Sequence, residues 1–327
     1  CYGLVCGTGL RDVEMAVRFG ELALVLLDRF ETREYLPRVY AAWYGTVYTL
    51  KYNVAKSLDC LLRAHRVGLL TGDIEFAALN ANLFCFNAYG SGSIRLDVIE
   101  RQWTGFRELA ASLRQSSLLR MSSPCMQTIH HYMGLTADPT DAKGDIRDMD
   151  AELQYCIDNN LLTAANSIRI NRMVCLFVFC EYDLARRYRS FELNNVSNLP
   201  SPLDLAFYVL FLALLDLETA STTKEKRQAQ RIGKRCHRIL NTLSLLCPSN
   251  YVAKKFLLEA ELEASQGRSS HAFERFTCAI ALAKENGSYF MEAFSSERTG
   301  RFLAADSKRD EAETYFRRAY AAYDEWG

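Results

Sequence analysis

Small and apolar residues recur along this chain at the spacing of one helix face. Ala272, Phe276 and Ala279 lie at positions i, i+4 and i+7, and the same order of small, large and small returns forty residues later at Ala312. Positions at this spacing share a face of a helix. Small residues on that face let a second helix approach closely, so the pattern predicts tightly packed helix pairs.

This pattern returns with a period of about 40–44 residues. First positions fall near residues 16, 57, 98, 185, 229, 272 and 312, and a degenerate copy fits near 145. A small residue also stands twelve positions before three of them, as Gly45 does before Ser57. A fixed period of this length is typical of solenoids built from helix pairs. The structural positions of the repeat are Gly45, Ser57, Ala64, Ala260, Ala272, Ala279, Gly300, Ala312 and Ala319.

We therefore predict an all-α fold: a right-handed superhelix, or α-solenoid, of antiparallel helix pairs in about seven to eight tetratricopeptide-like repeats. Residues 1–327 are expected to form a single array. Its clearest units lie over 249–327, and an irregular connection is expected near 134–145.

Glycine and proline mark the expected helix boundaries. Gly72, Gly267 and Gly287 stand where a helix stops and the next one starts, as is common for glycine after a helix C-terminus. Pro37 indicates a helix start, and Pro124 predicts a boundary between two helices. The pair of glycines at 7 and 9 is expected to form a loop before the first helix.

Composition agrees with long helices around a sizeable core. Hydrophobic residues make up 49% of the 327 residues, while Gly (17) and Pro (6) are scarce, which disfavours turn-rich β folds and disorder. The longest strongly apolar run, Leu205–Leu215, is bounded by two aspartates and falls well short of the roughly 20 residues that span a bilayer. It predicts a buried helix with Ser201 as its N-cap, and no membrane span.

Charge and cysteine content favour a cytoplasmic protein. Lys+Arg and Asp+Glu both number 39, so no bulk field draws the chain to nucleic acid or to acidic membranes. The 11 cysteines are scattered and include no Cys-x-x-Cys pair, which indicates reduced core thiols; a disulfide framework or a zinc site is the alternative. No secretory signal is visible, and the last residues read as the middle of a helix, so we expect a piece of a longer protein.

Nearly all charged residues of the predicted helix 224–246 are basic. Its only acid is Glu225, and its apolar residues follow a helical spacing, so the cations share the outer face. Most such faces are merely solvated. The functional alternative is a docking patch for an acidic protein segment, with Arg227, Arg231, Lys234 and Arg238 as contacts. Nucleic acid is disfavoured because no aromatic residues are interleaved with the cations.

Aromatic residues near the N-terminus form a second candidate surface. Tyr40, Trp43, Tyr44 and Tyr48 fall at helical spacing, a stripe that usually packs between stacked helices. The inner helices of a superhelix also line a concave groove, where tyrosine and asparagine often contact ligands. We expect Tyr48, Asn80 and Asn87 to face such a groove.

Nothing in the sequence predicts catalysis, a cofactor or a metal. There is no phosphate-binding loop with the Walker pattern and no His-Arg-Asp catalytic-loop triplet. His130 and His131 lie near Cys125, but adjacent residues on a helix point about 100° apart and would not bind one metal ion together. Cys175 and Cys180 likewise diverge to different faces and are expected to be core thiols.

Two stretches support a narrower resemblance. The segment from Trp43 to Ala78, with Ser57 and Ala64, and the segment from Ala279 to Gly327 resemble the tetratricopeptide-like helical region of very large signalling proteins. Those proteins combine a serine/threonine-kinase-like domain, a STAND-type ATPase, this helical array, a GAF domain and a histidine kinase. The resemblance covers most of the chain and is poor over 134–201.

The resemblance implies that this piece carries neither kinase nor ATPase chemistry. It would be a non-catalytic scaffold that contacts a protein, a peptide or neighbouring domains of its own chain, and that couples an ATPase or kinase part to sensor and histidine-kinase parts. The alternative is a regulatory module of a transcriptional or signalling regulator that senses a peptide or a small ligand.

Overall fold

A computed structural model of the chain describes residues 12–189 and 201–327. Within these ranges every regular element is a helix, apart from one isolated bridge between Lys143 and Asp148. The predicted all-α class is confirmed. The expected loop at residues 7 and 9 and the thiols of Cys1 and Cys6 lie outside the described residues.

Contacts between Cα atoms divide the chain into two compact units. The irregular connection at 134–144 lies inside the first unit and does not separate the two. The expectation of a single array over 1–327 stays a prediction. The first unit comprises Cys1–Ser91, Asp97–Asn171 and Phe191–Leu203, and the second comprises Gly92–Leu96, Arg172–Ser190 and Asp204–Gly327.

The first unit is a stack of helices in which consecutive helices pack in pairs. A π-helical turn (Trp43–Val47) and two 3₁₀ turns (Tyr48–Leu50 and Val54–Ser57) fill the stretch between its second and third helices. Its helices are α1 (Val13–Phe30), α2 (Leu36–Ala42), α3 (Leu58–Thr71), α4 (Ile74–Ser91), α5 (Leu96–Ser112, from Asp97 onward), α6 (Ser116–Tyr132), α7 (Met149–Asp158) and the beginning of α8 (Leu162–Val178).

Contacts between alternate helices give this unit its repeat. The side-chain amide of Asn80 on α4 donates to the carbonyl of Pro37 on α2, 43 residues earlier, at 2.8 Å. Asn87, two turns further along α4, donates to the carbonyl of Tyr44, also 43 residues earlier, at 3.1 Å. Because both contacts join residues that are 43 positions apart, α2 and α4 run parallel to each other and are one repeat apart. This offset agrees with the period in the sequence.

Pro124 does not mark a boundary, and that prediction was wrong. It lies inside α6 and is buried. Proline removes its own backbone donor and with it the usual partner of the carbonyl four residues earlier. The carbonyl of Leu119, in the same turn, accepts hydrogen bonds from Ser122 Oγ at 3.0 Å, Ser123 Oγ at 2.8 Å and the guanidinium of Arg107 on α5 at 2.8 Å. The turn before the proline is thus also held by a neighbouring helix.

The second unit holds longer and more regular helix pairs. Gly267 and Gly287 adopt positive φ (75° and 69°) at the predicted turns, where glycine carries no Cβ penalty. Its helices are the end of α8, α9 (Tyr182–Arg187), α10 (Pro202–Thr219, from Asp204 onward), α11 (Thr223–Leu246), α12 (Pro248–Ser265), α13 (Ser269–Glu285), α14 (Tyr289–Ala305) and α15 (Arg309–Trp326).

Helix pairs in this unit are antiparallel and closely packed. Gln230 near the start of α11 donates to Ser265 at the end of α12, whereas His237 near the middle of α11 contacts Glu259. On α14, a Cβ at Gly300 would lie 2.8 Å from the ring of Phe316 on α15, so any larger residue there would require that ring to shift.

All nine structural positions of the repeat are buried. Ser57, Ala64, Ala260, Ala272 and Ala279 have no exposed surface. Their small side chains lie where paired helices meet, as close packing requires.

In the described residues, no helix is both long enough and apolar enough to cross a membrane.

Candidate functional site

The N-terminus of α11 explains why its one acid does not neutralise its cations. The helix begins with a capping box: Glu225 N–H donates to Thr222 Oγ1 at 3.2 Å, and Glu225 accepts from the backbone N–H of Thr222 at 2.9 Å. Glu225 also accepts from the hydroxyl of Ser221. These hydrogen bonds lower the pKa of Glu225 to about 2. The carboxylate therefore binds to the helix cap and does not neutralise the cations of α11.

The cations of α11 all lie on the solvent side. The opposite side, with Ala229, Gly233 and Cys236, is buried. Seven cationic residues are exposed, and we call their surface the basic face: Lys224, Lys226, Arg227, Arg231, Lys234, Arg235 and Arg238.

Four of these cations have no counter-ion in the described part of the chain. No carboxylate oxygen of residues 12–189 or 201–327 lies within 4.0 Å of the charged groups of Arg227, Arg231, Lys234 or Arg238. At 1.5 Å per residue they cover about 16 Å along the axis. Leu245, two turns beyond Arg238, is 77% exposed. The face thus combines a row of unpaired cations with an exposed apolar residue at its end.

Several other cations of the second unit have carboxylate partners, unlike these four. The partners come from neighbouring helices or from one turn away on the same helix. The pairs are Arg298 with Glu218 and Glu261, Arg301 with Glu297, Arg318 with Glu292, and His237 with Glu259.

The two asparagines predicted to face a groove do not do so. Asn80 is fully buried, and Asn87 is 3% exposed. Besides Pro37 and Tyr44, their amide groups donate to Phe76 O at 2.7 Å and to Ser57 Oγ at 3.2 Å. Buried amides must find such partners. The asparagines join neighbouring repeats, and their prediction as ligand contacts was wrong.

Tyr48 belongs to an aromatic cluster. It is half-buried and stacks on Tyr52 at 4.8 Å between ring centroids. The edge of Trp43 meets it at 5.7 Å, and Tyr44 lies at 5.1 Å. The stripe from Tyr40 to Tyr48 therefore serves mainly as packing between helices.

A cavity of about 550 Å³ lies beside this cluster. Its volume is within the range of small-molecule sites. Burial and a hydrogen bond with Cys60 raise the pKa of Tyr44, so its hydroxyl stays neutral. Tyr40 and Tyr44 were predicted as part of the stripe, but the cavity itself was not predicted. Its lining comes from three helices and a turn: Leu24, Leu27, Asp28, Glu31, Thr32, Arg33, Leu36, Tyr40, Tyr44 and Arg63.

His130 and His131 hold the long connection instead of sharing a ligand. His130 Nδ1 lies 2.6 Å from Asp145 Oδ2, and His131 Nδ1 lies 2.8 Å from Thr136 Oγ1. Partial burial raises the pKa of Asp145, but the hydrogen bond and charge of His130, with a bond from Gln127, lower it overall. In the described ranges no three His, Cys, Asp or Glu side chains are grouped as a metal site would require.

The nine described cysteines are free thiols, and most are buried. Burial raises the pKa of Cys175 and of Cys236 to about 12, which suppresses the reactive thiolate. Cys180 is not a core thiol, because it is exposed at the end of α8. Its sulfur accepts a hydrogen bond from Arg301 Nη2 at 2.9 Å.

Sequence reasoning missed a buried amine. Lys254 on α12 is 4% exposed, and its Nζ donates to Asn250 O at 3.1 Å and lies 4.7 Å from the ring centroid of Phe207. Burial lowers the pKa of Lys254 to about 8. No sequence signal distinguishes it from the exposed lysines of other helices.

Comparison with known proteins adds no family assignment, since no family model matches the chain and no curated protein matches it.

Proposed function

We propose that the chain is a non-catalytic helical-repeat scaffold that contacts other proteins, or neighbouring domains of its own chain, through the basic face of α11. In a large signalling protein it would couple an ATPase or kinase part to sensor and histidine-kinase parts. The observation that carries the proposal is the row of four exposed cations without counter-ions among the described residues, Arg227, Arg231, Lys234 and Arg238.

The shape of the basic face favours a protein segment as its partner. A single helix offers a narrow row of cations about 16 Å long, which suits one acidic helix or one extended acidic segment. Leu245 adds an apolar contact at one end. Nucleic-acid sites of comparable charge usually add aromatic platforms or a strongly basic domain, and this chain has zero net charge.

The expected affinity is moderate and dependent on salt. Exposed ion pairs contribute only about 0.2–1 kcal/mol each, so four or more must act together. Screening at physiological salt reduces their range to about 8 Å. The basic face would therefore contribute more to the association rate and to the orientation of a partner than to the affinity of the complex.

A charge-reversal experiment tests this function. The probe is a fluorescent acidic peptide of about 20 residues, and anisotropy measures its binding at low salt. Reversing four cations of the face, Arg227, Arg231, Lys234 and Arg238, to Glu should abolish binding. The matched control reverses four exposed cations on other helices and turns, Lys56, Arg66, Lys284 and Arg309, and so has the same net charge.

Retention of binding by the reversed α11 variant would contradict the proposal. Equal loss in both variants would show a response to net charge alone and would also count against it. A double-stranded DNA of similar charge and length should bind more weakly than the peptide. Preference for the DNA would move the function to nucleic-acid binding.

The cavity beside Tyr44 favours a second candidate, a module that senses a peptide or a small ligand. Apolar, aromatic and charged groups converge there. A thermal-shift screen of peptides and metabolites tests it, with Leu27→Trp as the variant that fills the cavity. A ligand that raises the unfolding temperature of the wild type but not of Leu27→Trp would support this function.

A further inference from the structure

The cavity beside Tyr44 is lined by charges of both signs. Asp28 and Glu31 reach it from the C-terminal end of α1, Arg33 from the turn that follows, and Arg63 from α3. All four residues are exposed. Two carboxylates and two guanidinium groups therefore open onto one space of about 550 Å³.

These charges do not neutralise one another. Neither carboxylate lies within 4.0 Å of Arg33 or Arg63, and none of the four side chains forms an ion pair with any other described residue. By contrast, Arg38 on α2 pairs with Asp73 at 2.8 Å. The cavity thus keeps opposite charges apart, at positions from which one bound molecule can contact both.

The rest of the lining is mainly apolar and aromatic. Leu24 and Leu27 lie one turn apart on α1, and Leu36 is buried at the start of α2. The rings of Tyr40 and Tyr44 meet edge to face, with 4.9 Å between their centroids. Such a lining favours a ligand with an apolar body, and the face of a phenol ring also attracts an ammonium group.

The cation of α3 acts on the aromatic side of the cavity. Burial raises the pKa of Tyr40, and the positive charge of Arg63 opposes this rise, so the guanidinium lies near the phenol. Arg63 and the neutral phenol of Tyr40 are both donors and suit a carboxylate. Asp28 and Glu31 are acceptors and suit an ammonium group.

The size of the cavity limits the length of the ligand. A cube of 550 Å³ has an edge of about 8 Å, while an extended chain spans about 3.3–3.6 Å per residue. Two or three residues therefore fit inside, and a single amino acid leaves much of the space empty.

We propose that this cavity binds a di- or tripeptide with free termini and an apolar side chain. The peptide carboxylate pairs with Arg33 and Arg63, and its ammonium group pairs with Asp28 and Glu31. Its apolar side chain lies against the leucines of α1. This inference rests on the second candidate function, a module that senses a peptide or a small ligand.

Isothermal titration calorimetry of the full chain with trileucine at low salt tests the proposal. The free peptide should bind. N-acetylation or C-amidation should each weaken binding at least tenfold, because one pair of charged side chains then loses its partner. Free leucine should also bind at least tenfold more weakly, since it is too short to contact both pairs. The absence of trileucine binding, or equal binding of all four compounds, would overturn the proposal.

Two charge variants test which end of the peptide lies where. Arg63→Gln should weaken binding of free trileucine about tenfold and leave binding of the amidated peptide unchanged. Glu31→Gln should likewise spare the acetylated peptide. Arg66→Gln is the matched control, because Arg66 is exposed on α3 about one turn from Arg63 and does not line the cavity. Equal effects on free and blocked peptides would contradict the assignment.

Leu27→Trp, which fills the cavity, separates this inference from the function on which it rests. It should abolish trileucine binding, and retained binding would overturn the proposed site. If trileucine fails to bind but another compound stabilises the wild type and not Leu27→Trp, the sensing function stands and the peptide inference fails. If no compound does so and trileucine fails to bind, both fail.

Discussion

Two buried cations of the second unit have opposite surroundings. Arg298 on α14 is 8% exposed, with its guanidinium 2.5 Å from Glu261 on α12 and 2.9 Å from Glu218 on α10. Lys254 on α12 is 4% exposed, and no carboxylate oxygen of the described residues lies within 4.0 Å of its Nζ. Both occupy parts of the helix stack closed to water.

The pKa values express this difference. Burial lowers the pKa of Arg298, but Glu261 and Glu218 outweigh burial and keep it above its ordinary value. Burial alone lowers the pKa of Lys254 to about 8. A buried charge with counter-ions is costly to uncouple, whereas one without a counter-ion is costly to keep. The two sites should therefore respond to substitution with opposite signs.

Arg298→Ala gives the largest expected effect. It leaves Glu261, which is largely buried, and Glu218 without their cation, so we expect a loss of about 3–5 kcal/mol in unfolding free energy. Urea unfolding measures it. Arg317→Ala is the control, because Arg317 pairs with Glu313 while 79% exposed, and it should cost at most about 1 kcal/mol. Similar costs at both sites would contradict the comparison.

Lys254→Met should act in the other direction. The displacement of the Lys254 pKa from 10.5 to about 8 corresponds to a penalty of about 3 kcal/mol for keeping the amine charged at neutral pH. Methionine has a similar length and no charge, so the variant should be more stable by about 1–3 kcal/mol at pH 7. A loss of stability would show that the contacts of the amine with Asn250 O and with the Phe207 ring outweigh the cost of burying its charge.

The lowered pKa of Lys254 should also make the stability of the chain depend on pH. Between pH 8 and pH 10.5 the unfolded chain keeps the proton on Lys254 while the folded chain has released it, so the unfolding free energy should rise with pH in this window. The difference between wild type and Lys254→Met isolates this residue from titrating tyrosines and cysteines. That difference should shrink steadily toward pH 10.5, and a constant value would contradict the lowered pKa.

A half-exposed ion pair should have an intermediate effect. The pKa of Asp145 is lowered overall from its ordinary value of 3.8. Its pairing with His130 therefore stabilises the folded chain at pH values above 3.8, and this stabilisation is lost as the pH falls through the lowered pKa of the folded state. His130→Gln should cost about 1 kcal/mol and loosen residues 134–148. Hydrogen exchange in that connection measures the change. Unchanged protection there would mean that His130 does not hold it.

The basic face should contribute least to stability. Arg227 and Arg231, and likewise Lys234 and Arg238, are like charges one turn apart, which destabilise a helix by about 0.2–0.5 kcal/mol per pair. Arg231→Glu should therefore stabilise the chain by up to about 0.5 kcal/mol while it weakens binding of an acidic peptide. Thermal unfolding and anisotropy on the same sample measure both. A marked loss of stability would mean that the cation is structural.

Local signals in the sequence predicted the elements well. The helix expected over 224–246 is found at Thr223–Leu246, and its capping residues are adjacent in the chain. The turns at Gly72, Gly267 and Gly287 have the expected positive φ. These features depend on interactions within a few residues, which the sequence displays directly.

Partners of buried polar residues could not be predicted in this way. Asn80 and Asn87 have the composition of ligand contacts, yet their amides bond to carbonyls 43 residues away. Pro124 lies inside a helix, and the turn before it is contacted by Arg107 of another helix, which donates to the carbonyl of Leu119. In each case the decisive group is distant in sequence and adjacent only after the helices have stacked.

Local sequence patterns were sufficient to predict an all-α chain of paired helices with a period near forty residues, small residues at the closest crossings and one helix with a cationic outer face. These follow from helical periodicity, capping and side-chain size, which act within a turn or two. Which polar groups are buried and which are paired depends on the neighbouring helix face, so these features emerge only when the helices pack together. The tertiary structure paired Arg298, left Lys254 without a carboxylate in the described residues, enclosed the asparagines and kept the cations of α11 in water.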